Sequence, residues 1–331
     1  MSAAPRVLFA PAYSDRSGGG HLMRCLSLAA ALGSRARPCF ALPPSAIPAI
    51  ERFAAGPVEI VHDRGEVRAD AVVVDDYGID AAGERQLRGG ARVLMAIDDL
   101  ADRPHDADIL LDPGLGRAAA DYAGLVPPHA DLLMGADYAL MRPDFALARA
   151  RVGPIGPAVQ TVFVSFGLSD VGGVCARAVA AIRPLLPRAR LDIALGSAAE
   201  SLPALYRLAA GDEGIRLHVD TTEVAELMLA ADLGIGAGGG AAWERCCLGL
   251  PSAAVIVAEN QRPAIEALDA RGALLAVNMT DRDWTASLRR ALMRLMEADT
   301  RETMRTAAMA ACDGRGAERA AQVLLSRIGE A

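Results

Sequence analysis

Short apolar runs rich in β-branched residues recur along this chain. They alternate with longer Ala- and Leu-rich stretches at helical spacing. Runs that short and that uniformly apolar belong to strands buried on both faces, and a helix between successive strands makes them parallel. The pattern predicts an α/β protein. In the first half the strands are read at Arg6 to Ala10, Pro38 to Ala41, Ala71 to Asp75, Arg92 to Ile97 and Asp108 to Leu111, with helices at His21 to Leu32 and Ala81 to Leu87. The segment RVGPIGP, residues 151–157, carries two prolines and two glycines and breaks both kinds of structure, so it is read as a linker. Beyond it the alternation restarts with Thr161 to Phe166, Leu191 to Leu195, Ile215 to Val219, Leu233 to Gly236 and Ala253 to Val257. Length agrees, since 331 residues exceed what one core commonly supports, and two doubly wound domains, 1–150 and 151–331, are expected. The last helix, near Ala317 to Ile328, fits either domain.

Charge narrows the chemistry. The 34 basic residues are all arginine, against 41 acidic ones, for a formal net charge of −7. Without lysine there is no P-loop lysine and no Schiff base, and an acidic chain with no basic stripe is not a general nucleic-acid binder. Small molecules or other proteins are the expected partners. The six cysteines (25, 39, 175, 246, 247 and 312) form no C-x-x-C pair and are read as reduced thiols of a cytoplasmic protein. The first residues lack the apolar core of a signal peptide, and no run is apolar enough to span a membrane. No metal-ligand spacing is present.

In open α/β sheets ligands sit beyond the carboxyl ends of strands, and with two domains the cleft between them is the default site. The first turn there is Ser17-Gly18-Gly19-Gly20-His21, with Arg24 on roughly the same helical face as His21. At a helix N-terminus the dipole disfavours imidazolium, which leaves His21 a neutral, proton-accepting base, while Arg24 can hold an anionic group. Asp75, Asp76 and Tyr77 close the next central strand and can position a water or a sugar hydroxyl; Asp98 and Asp99 close another. Helix capping and turn formation account for any one of these carboxylates equally well.

In the second half, Ser165-Phe166-Gly167-Leu168-Ser169-Asp170 suits a diphosphate, with Ser169 as donor before a helix, or simple capping. The stretch Leu233 to Cys246, LGIGAGGGAAWERC, runs from strand through glycine turn to helix. Gly236-x-Gly238-x-x-Ala241 matches a relaxed dinucleotide fingerprint, so an NAD enzyme is a formal rival, although that fingerprint normally opens a domain. The same turn suits a nucleoside diphosphate, with Gly238 and Gly239 at the phosphates and Glu244 accepting from ribose hydroxyls. Asn260 and Gln261, after the following strand, can complete the cleft with neutral amides. His62, His105, His129 and His218 are expected at the surface or in caps.

Together these segments resemble the PseG-type hydrolases of bacterial pseudaminic acid synthesis, which act on UDP-2,4-diacetamido-2,4,6-trideoxy-β-L-altropyranose. The anchors are GGGHLMRCLSLA (18–29), VVDDYGID (73–80), AIDDLADRPHDADILL (96–111), DYAGLVP (121–127), LLMGADYALMRPDF (132–145), SFGLSD (165–170), GAGGGAAWERCCLGLP (236–251) and AENQ (258–261). The resemblance implies the B-type glycosyltransferase fold, two Rossmann-like domains facing a cleft, and a relationship to MurG-type transferases. It implies metal-independent hydrolysis of a UDP-linked diacetamido sugar with inversion and no cofactor. On it, His21 beside Gly20 activates water, Tyr77 and Asn260 line the sugar pocket, and Glu244 with the turns at Gly167 and Gly238 holds UDP. The chain departs from the pattern where Ala10 and Ala12 replace an Arg and an Asp while Ser14 remains, where Asp112-Pro113 replaces Asn-Gln, and where Gly240, Ala241 and Ala242 replace small hydroxyl residues. A transferase of the same fold and a non-catalytic sugar-nucleotide binder are the competing readings.

Overall fold

The computed structural model describes residues 4–13, 19–62 and 68–330. Ser14, Ser17 and Gly18 lie outside the described residues.

Two compact units are present, one built from the chain up to Pro143 together with the residues from Arg315 onward, the other from Asp144–Gly314. The first holds β1 (Arg6–Pro11), β2 (Arg37–Ala41), β3 (Glu59–Val61), β4 (Ala71–Asp75), β5 (Val93–Ile97), β6 (Ile109–Asp112) and β7 (Asp131–Met134). Its helices are α1 (Gly20–Leu32), α2 (Ile47–Phe53) and α3 (Ala81–Arg88), while α4 (Pro143–Arg149) leads into the second unit. The second holds β8 (Thr161–Ser165), α5 (Val174–Ile182), β9 (Arg190–Leu195), α6 (Leu202–Ala210), β10 (Ile215–Val219), α7 (Val224–Leu229) and β11 (Leu233–Ala237). It continues with α8 (Gly240–Cys247), β12 (Ser252–Ile256), α9 (Arg262–Ala270), β13 (Leu275–Asn278), α10 (Trp284–Leu295) and α11 (Ala298–Ala311), and α12 (Gly316–Glu330) closes the chain.

Every strand pair is parallel. The first sheet runs β3-β2-β1-β4-β5-β6-β7 and the second β10-β9-β8-β11-β12-β13. Side chains alternate across the sheet as the strand period requires: Val7 and Phe9 enter the core under α1, whereas Leu8 packs with Val72, Val74 and Leu94 on the other face. The expected strands are all present. Those missed, β3, β7 and β13, are short edge strands, and β3 and β7 are mostly only half-buried, so neither is an unbroken buried run.

The boundary differs from the expected one. Arg149 donates to the carbonyls of Cys247, Met309 and Cys312, and Arg301 donates to Gly156, so the proline-glycine segment is tied to the second unit and the chain crosses earlier. The final helix leaves the second unit: Ala317, Ala320, Ala321, Leu324 and Ile328 of α12 pack in the core beneath α1. No described helix is long and apolar enough to cross a membrane.

Candidate active site

In each sheet the strand order reverses at one place, between β1 and β4 and again between β8 and β11, which is where a parallel sheet opens a crevice at its carboxyl end. The turn after β1 ends at Gly19, whose φ of 75° is open to glycine at little cost, and Gly20 begins α1. His21 is thereby placed beside the end of β4. Its Nδ1 lies 2.7 Å from Oδ1 of Asp75 and 3.0 Å from Nη2 of Arg24. A lone pair on Nδ1 would face the carboxylate at that distance, and Arg24 Nη2 already donates to Asp75 Oδ1 at 2.7 Å. Nδ1 therefore carries the proton, and Nε2 is left as the acceptor.

Asp75 is fully buried. Burial alone would raise its pKa, but the Arg24 charge and the hydrogen bond from His21 hold it below the usual range. Arg24 donates through Nε to Asp75 and through Nη1 to Asp99, each at 2.9 Å. Asp99 also accepts from the Tyr77 hydroxyl at 2.6 Å, and the Tyr77 ring stands edge-on to His21 with centroids 4.7 Å apart. Burial and Asp99 push the phenol well above its ordinary range despite Arg24, so it stays a donor. Arg24 is thus engaged by two of the protein's own carboxylates, and Asp75 is buried against His21 and Arg24.

Behind Asp99 lies an array that no sequence spacing announced. The Tyr122 hydroxyl is 2.9 Å from Oδ2 of Asp98 and 2.9 Å from Oδ2 of Asp112. One hydroxyl proton serves one carboxylate, so the other carboxyl relieves the contact only by taking up a proton itself. Asp98 is the charged member: against burial, His105, the Ala101 amide and Arg103 hold it well below the usual range. Asp112 has weaker support, and burial pushes it up to about 6. His105, expected at the surface, is buried, with Nδ1 2.6 Å from Glu84 Oε1 and Nε2 3.9 Å from Asp98 Oδ2. Burial opposes its charge, but Asp98 and Glu84 raise its pKa to about 9; at 3.9 Å Asp98 acts through charge rather than a hydrogen bond. The other histidines face Leu42 O (His62), Asp108 (His129) and Asp192 (His218).

At the second reversal, Gly167 follows β8 with φ 91°, and nothing lies within 4 Å of where a Cβ would stand. Ser169 is half-buried, and helix α5 starts only at Val174. The Asp170 carboxyl accepts from the Cys175 amide at 3.0 Å, and burial raises its pKa, so this helix end is already met by a side chain of its own. Both helices have a glycine N-cap, Gly173 and Gly239, but the first-turn amides of α5 are met by Asp170 and Ser201, whereas α8 shows no side-chain cap. A Cβ on Gly240 would meet nothing within 4 Å, whereas one on Gly238 would press into Ile265 at 2.6 Å. Gly240 is the open position of this turn and Gly238 is a packing glycine. Gln261 lies against the turn, its Oε1 accepting from the Val257 amide at 3.2 Å and facing Gly238. Asn260 is exposed and Glu244, in the first turns of α8, is half-buried.

The remaining glycines of the stretch answer to a buried residue. A Cβ on Gly234 would lie 2.8 Å from Cδ of Arg245, and one on Gly236 would lie 2.1 Å from the Ser165 carbonyl and 2.9 Å from Arg245 Nη1. Gly236, the first position of the apparent dinucleotide fingerprint, is thus the clearance for an arginine and for β8. All six cysteines are buried and free.

No family model matches the chain. It is 29% identical over 231 residues, 67% of this chain and 81% of the other, to the UDP-2,4-diacetamido-2,4,6-trideoxy-beta-L-altropyranose hydrolase of Campylobacter jejuni. The PseG-type resemblance carried by the motifs is a similarity to this hydrolase. Among solved structures, MurG of Acinetobacter baumannii aligns with a TM-score of 0.62 at 14% identity, covering 99% of this chain and 100% of that one. The spinosyn rhamnosyltransferase SpnG complexed with thymidine diphosphate gives 0.65 at 17% identity, covering 97% and 99%. UDP-GlcNAc 2-epimerase from Neisseria meningitidis, bound to UDP-GlcNAc, gives 0.66 at 11% identity, covering 97% and 99%. These likenesses show the fold: two parallel-sheet α/β domains of the B-type glycosyltransferase kind.

Proposed function

We propose that this protein hydrolyses a UDP-linked 2,4-diacetamido-2,4,6-trideoxy sugar to the free sugar and UDP, as in pseudaminic acid biosynthesis, with water activated by His21. The carrying observation is the short Nδ1–H to Asp75 hydrogen bond at the first sheet reversal, which leaves Nε2 of His21 free to accept a proton. Nε2 takes a proton from water as the water oxygen bonds to the anomeric carbon. The bond from that carbon to the β-phosphate oxygen breaks, its electron pair leaves with UDP, and the configuration inverts. The imidazolium so formed is stabilised by Asp75, and the proton is then released to solvent. Gly20 shapes the approach to His21, and Tyr77 and Asn260 face the sugar. In the second unit Gly167, Ser169, the turn at Gly238 and Gly239, Gln261 and Glu244 serve the nucleotide, with the open N-terminus of α8 toward phosphate and Glu244 toward ribose hydroxyls. No cofactor or metal takes part. The name of the Campylobacter jejuni relative supports the substrate class. Six buried, unbridged thiols fit a reducing compartment, the cytoplasm.

The test is mass-spectrometric detection of UDP and free sugar from a UDP-diacetamido-trideoxyhexose. His21→Ala is expected to abolish turnover while UDP binding persists; turnover by this variant at the wild-type rate refutes the role of His21. A transferase would release little free sugar without an acceptor. A non-catalytic binder, the reading that Ala10, Ala12 and the bare Gly240 to Ala242 turn favour, would bind UDP and turn over none of the diacetamido sugars.

A further inference from the structure

Arg245 is fully buried, and among the described residues no carboxylate forms a salt bridge with it, although the neighbouring Glu244 acts on it through charge. It leaves α8 and lies across β11 in the space that Gly234 and Gly236 keep clear. Its Nη2 donates to the carbonyl of Ala237 at 2.8 Å, while Nε and Nη1 have no hydrogen-bond partner among the described residues. Ala237 ends β11 and directly precedes the Gly238–Gly240 turn, so the guanidinium sits under the uncapped N-terminus of α8. Desolvation pulls its pKa down to about 10, which still leaves it charged at neutral pH. A buried cation without a salt-bridge partner is costly to a fold, and local rules broken in this way are found at functional sites.

We infer that Arg245 is a buried electrostatic positioning residue for a nucleoside diphosphate: without touching the ligand, it supplies through the Gly238–Gly240 turn the positive charge that a lysine-free protein otherwise lacks at this site. The inference rests on the reading of the second unit as the UDP-binding part. Three sources of positive potential then converge on one turn: the exposed amides, the dipole of α8 and the guanidinium beneath them. Because the charge is buried, it is little screened by salt, and it favours the more highly charged ligand: UDP over UMP, and UMP over uridine.

The experiment is calorimetric titration of wild type, Arg245→Met, Arg245→Gln and Arg245→Lys with UDP, UMP and uridine, alongside thermal melting without nucleotide. Loss of the charge is expected to weaken UDP binding about tenfold or more, UMP less, and uridine not measurably. Arg245→Met is expected to melt at a higher temperature than wild type in the absence of nucleotide, since it removes a buried charge without a salt-bridge partner; a merely structural arginine would lower both melting temperature and all three affinities together. Arg245→Lys is expected to keep UDP affinity within a few fold, and if the methionine variant does not fold, the Gln and Lys pair gives the same comparison. Equal UDP affinity in wild type and a folded, uncharged variant overturns the inference and leaves the functional reading standing. Failure of the wild type itself to bind UDP overturns both.

Discussion

Replacing Asp75 with Asn exchanges one carboxylate oxygen for an amide nitrogen and has a calculable consequence. The carboxylate accepts three hydrogen bonds, from His21 Nδ1 at 2.7 Å, Arg24 Nη2 at 2.7 Å and Arg24 Nε at 2.9 Å. With the amide oxygen at the Oδ1 position, the amide nitrogen faces Arg24 Nε; with the amide turned over, it faces Arg24 Nη2 and drives His21 to the tautomer in which Nε2 bears the proton. Either way one N–H of a buried guanidinium loses its acceptor, at a cost of about 2–4 kcal/mol of stability. The loss in catalysis is larger. In the wild type the imidazolium forms 2.7 Å from a negative charge, an attraction of about 6 kcal/mol at an effective dielectric constant near 20. In the variant it forms beside Arg24, whose remaining carboxylate partner among the described residues is Asp99, so turnover is expected to fall roughly a thousandfold or more. Steady-state UDP release, with thermal melting and UDP titration as controls for folding and binding, measures both effects. A folded Asp75→Asn enzyme within about tenfold of wild-type turnover would refute the assignment of Asp75 as the group that orients and charge-balances His21.

The array behind the site gives two further tests. Tyr122→Phe leaves the Asp98 and Asp112 carboxylates facing each other without the shared hydroxyl, so it is expected to destabilise the protein by about 1–3 kcal/mol, with the deficit shrinking as the pH falls below about 6 and Asp112 takes up a proton; denaturant melts at pH 5 and 8 read this. His105 has a folded pKa of about 9, raised above its unfolded value, so its contribution to stability is full below about 6.5 and is lost as the pH rises through 9; melts from pH 6 to 10 should show this decline in the wild type and not in His105→Gln. In the second unit, Gly236→Ala would set a methyl group 2.1 Å from the Ser165 carbonyl and is expected to cost more than about 4 kcal/mol, whereas Gly240→Ala meets nothing and should fold normally, as circular dichroism and limited proteolysis would report.

The sequence carried the fold because its information there is periodic. Central strands such as Ala71–Asp75 are apolar at every interior position and cannot be mistaken, while edge strands such as Glu59–Val61 carry half-exposed residues and no run. The unit boundary lies before the proline-glycine segment for a related reason: that segment is a real break in secondary structure, but Arg149, Arg301 and Arg305 bind its neighbourhood to the second unit through carbonyls, and nothing in composition reveals which carbonyls an arginine reaches. At the site, Asp75 and Tyr77 are visible as polar residues at the end of an apolar strand, and His21 as the residue after a glycine turn. Their mutual roles were not, since the Arg24 pairing with Asp75 and Asp99 spans 51 and 75 residues. Arg245 was hidden by its neighbour Glu244, and only the glycines at 234 and 236 signalled that something large crosses β11.

Hydrolysis in water enriched in heavy oxygen tests the central claim most directly, because the position of the label identifies the atom that His21-activated water attacks. Released UDP analysed by mass spectrometry is predicted to carry no heavy oxygen, since attack at the anomeric carbon leaves the bridging oxygen on the β-phosphate, and release is predicted to vanish in His21→Ala. Heavy oxygen in the UDP β-phosphate, or release that survives loss of His21, would contradict the account.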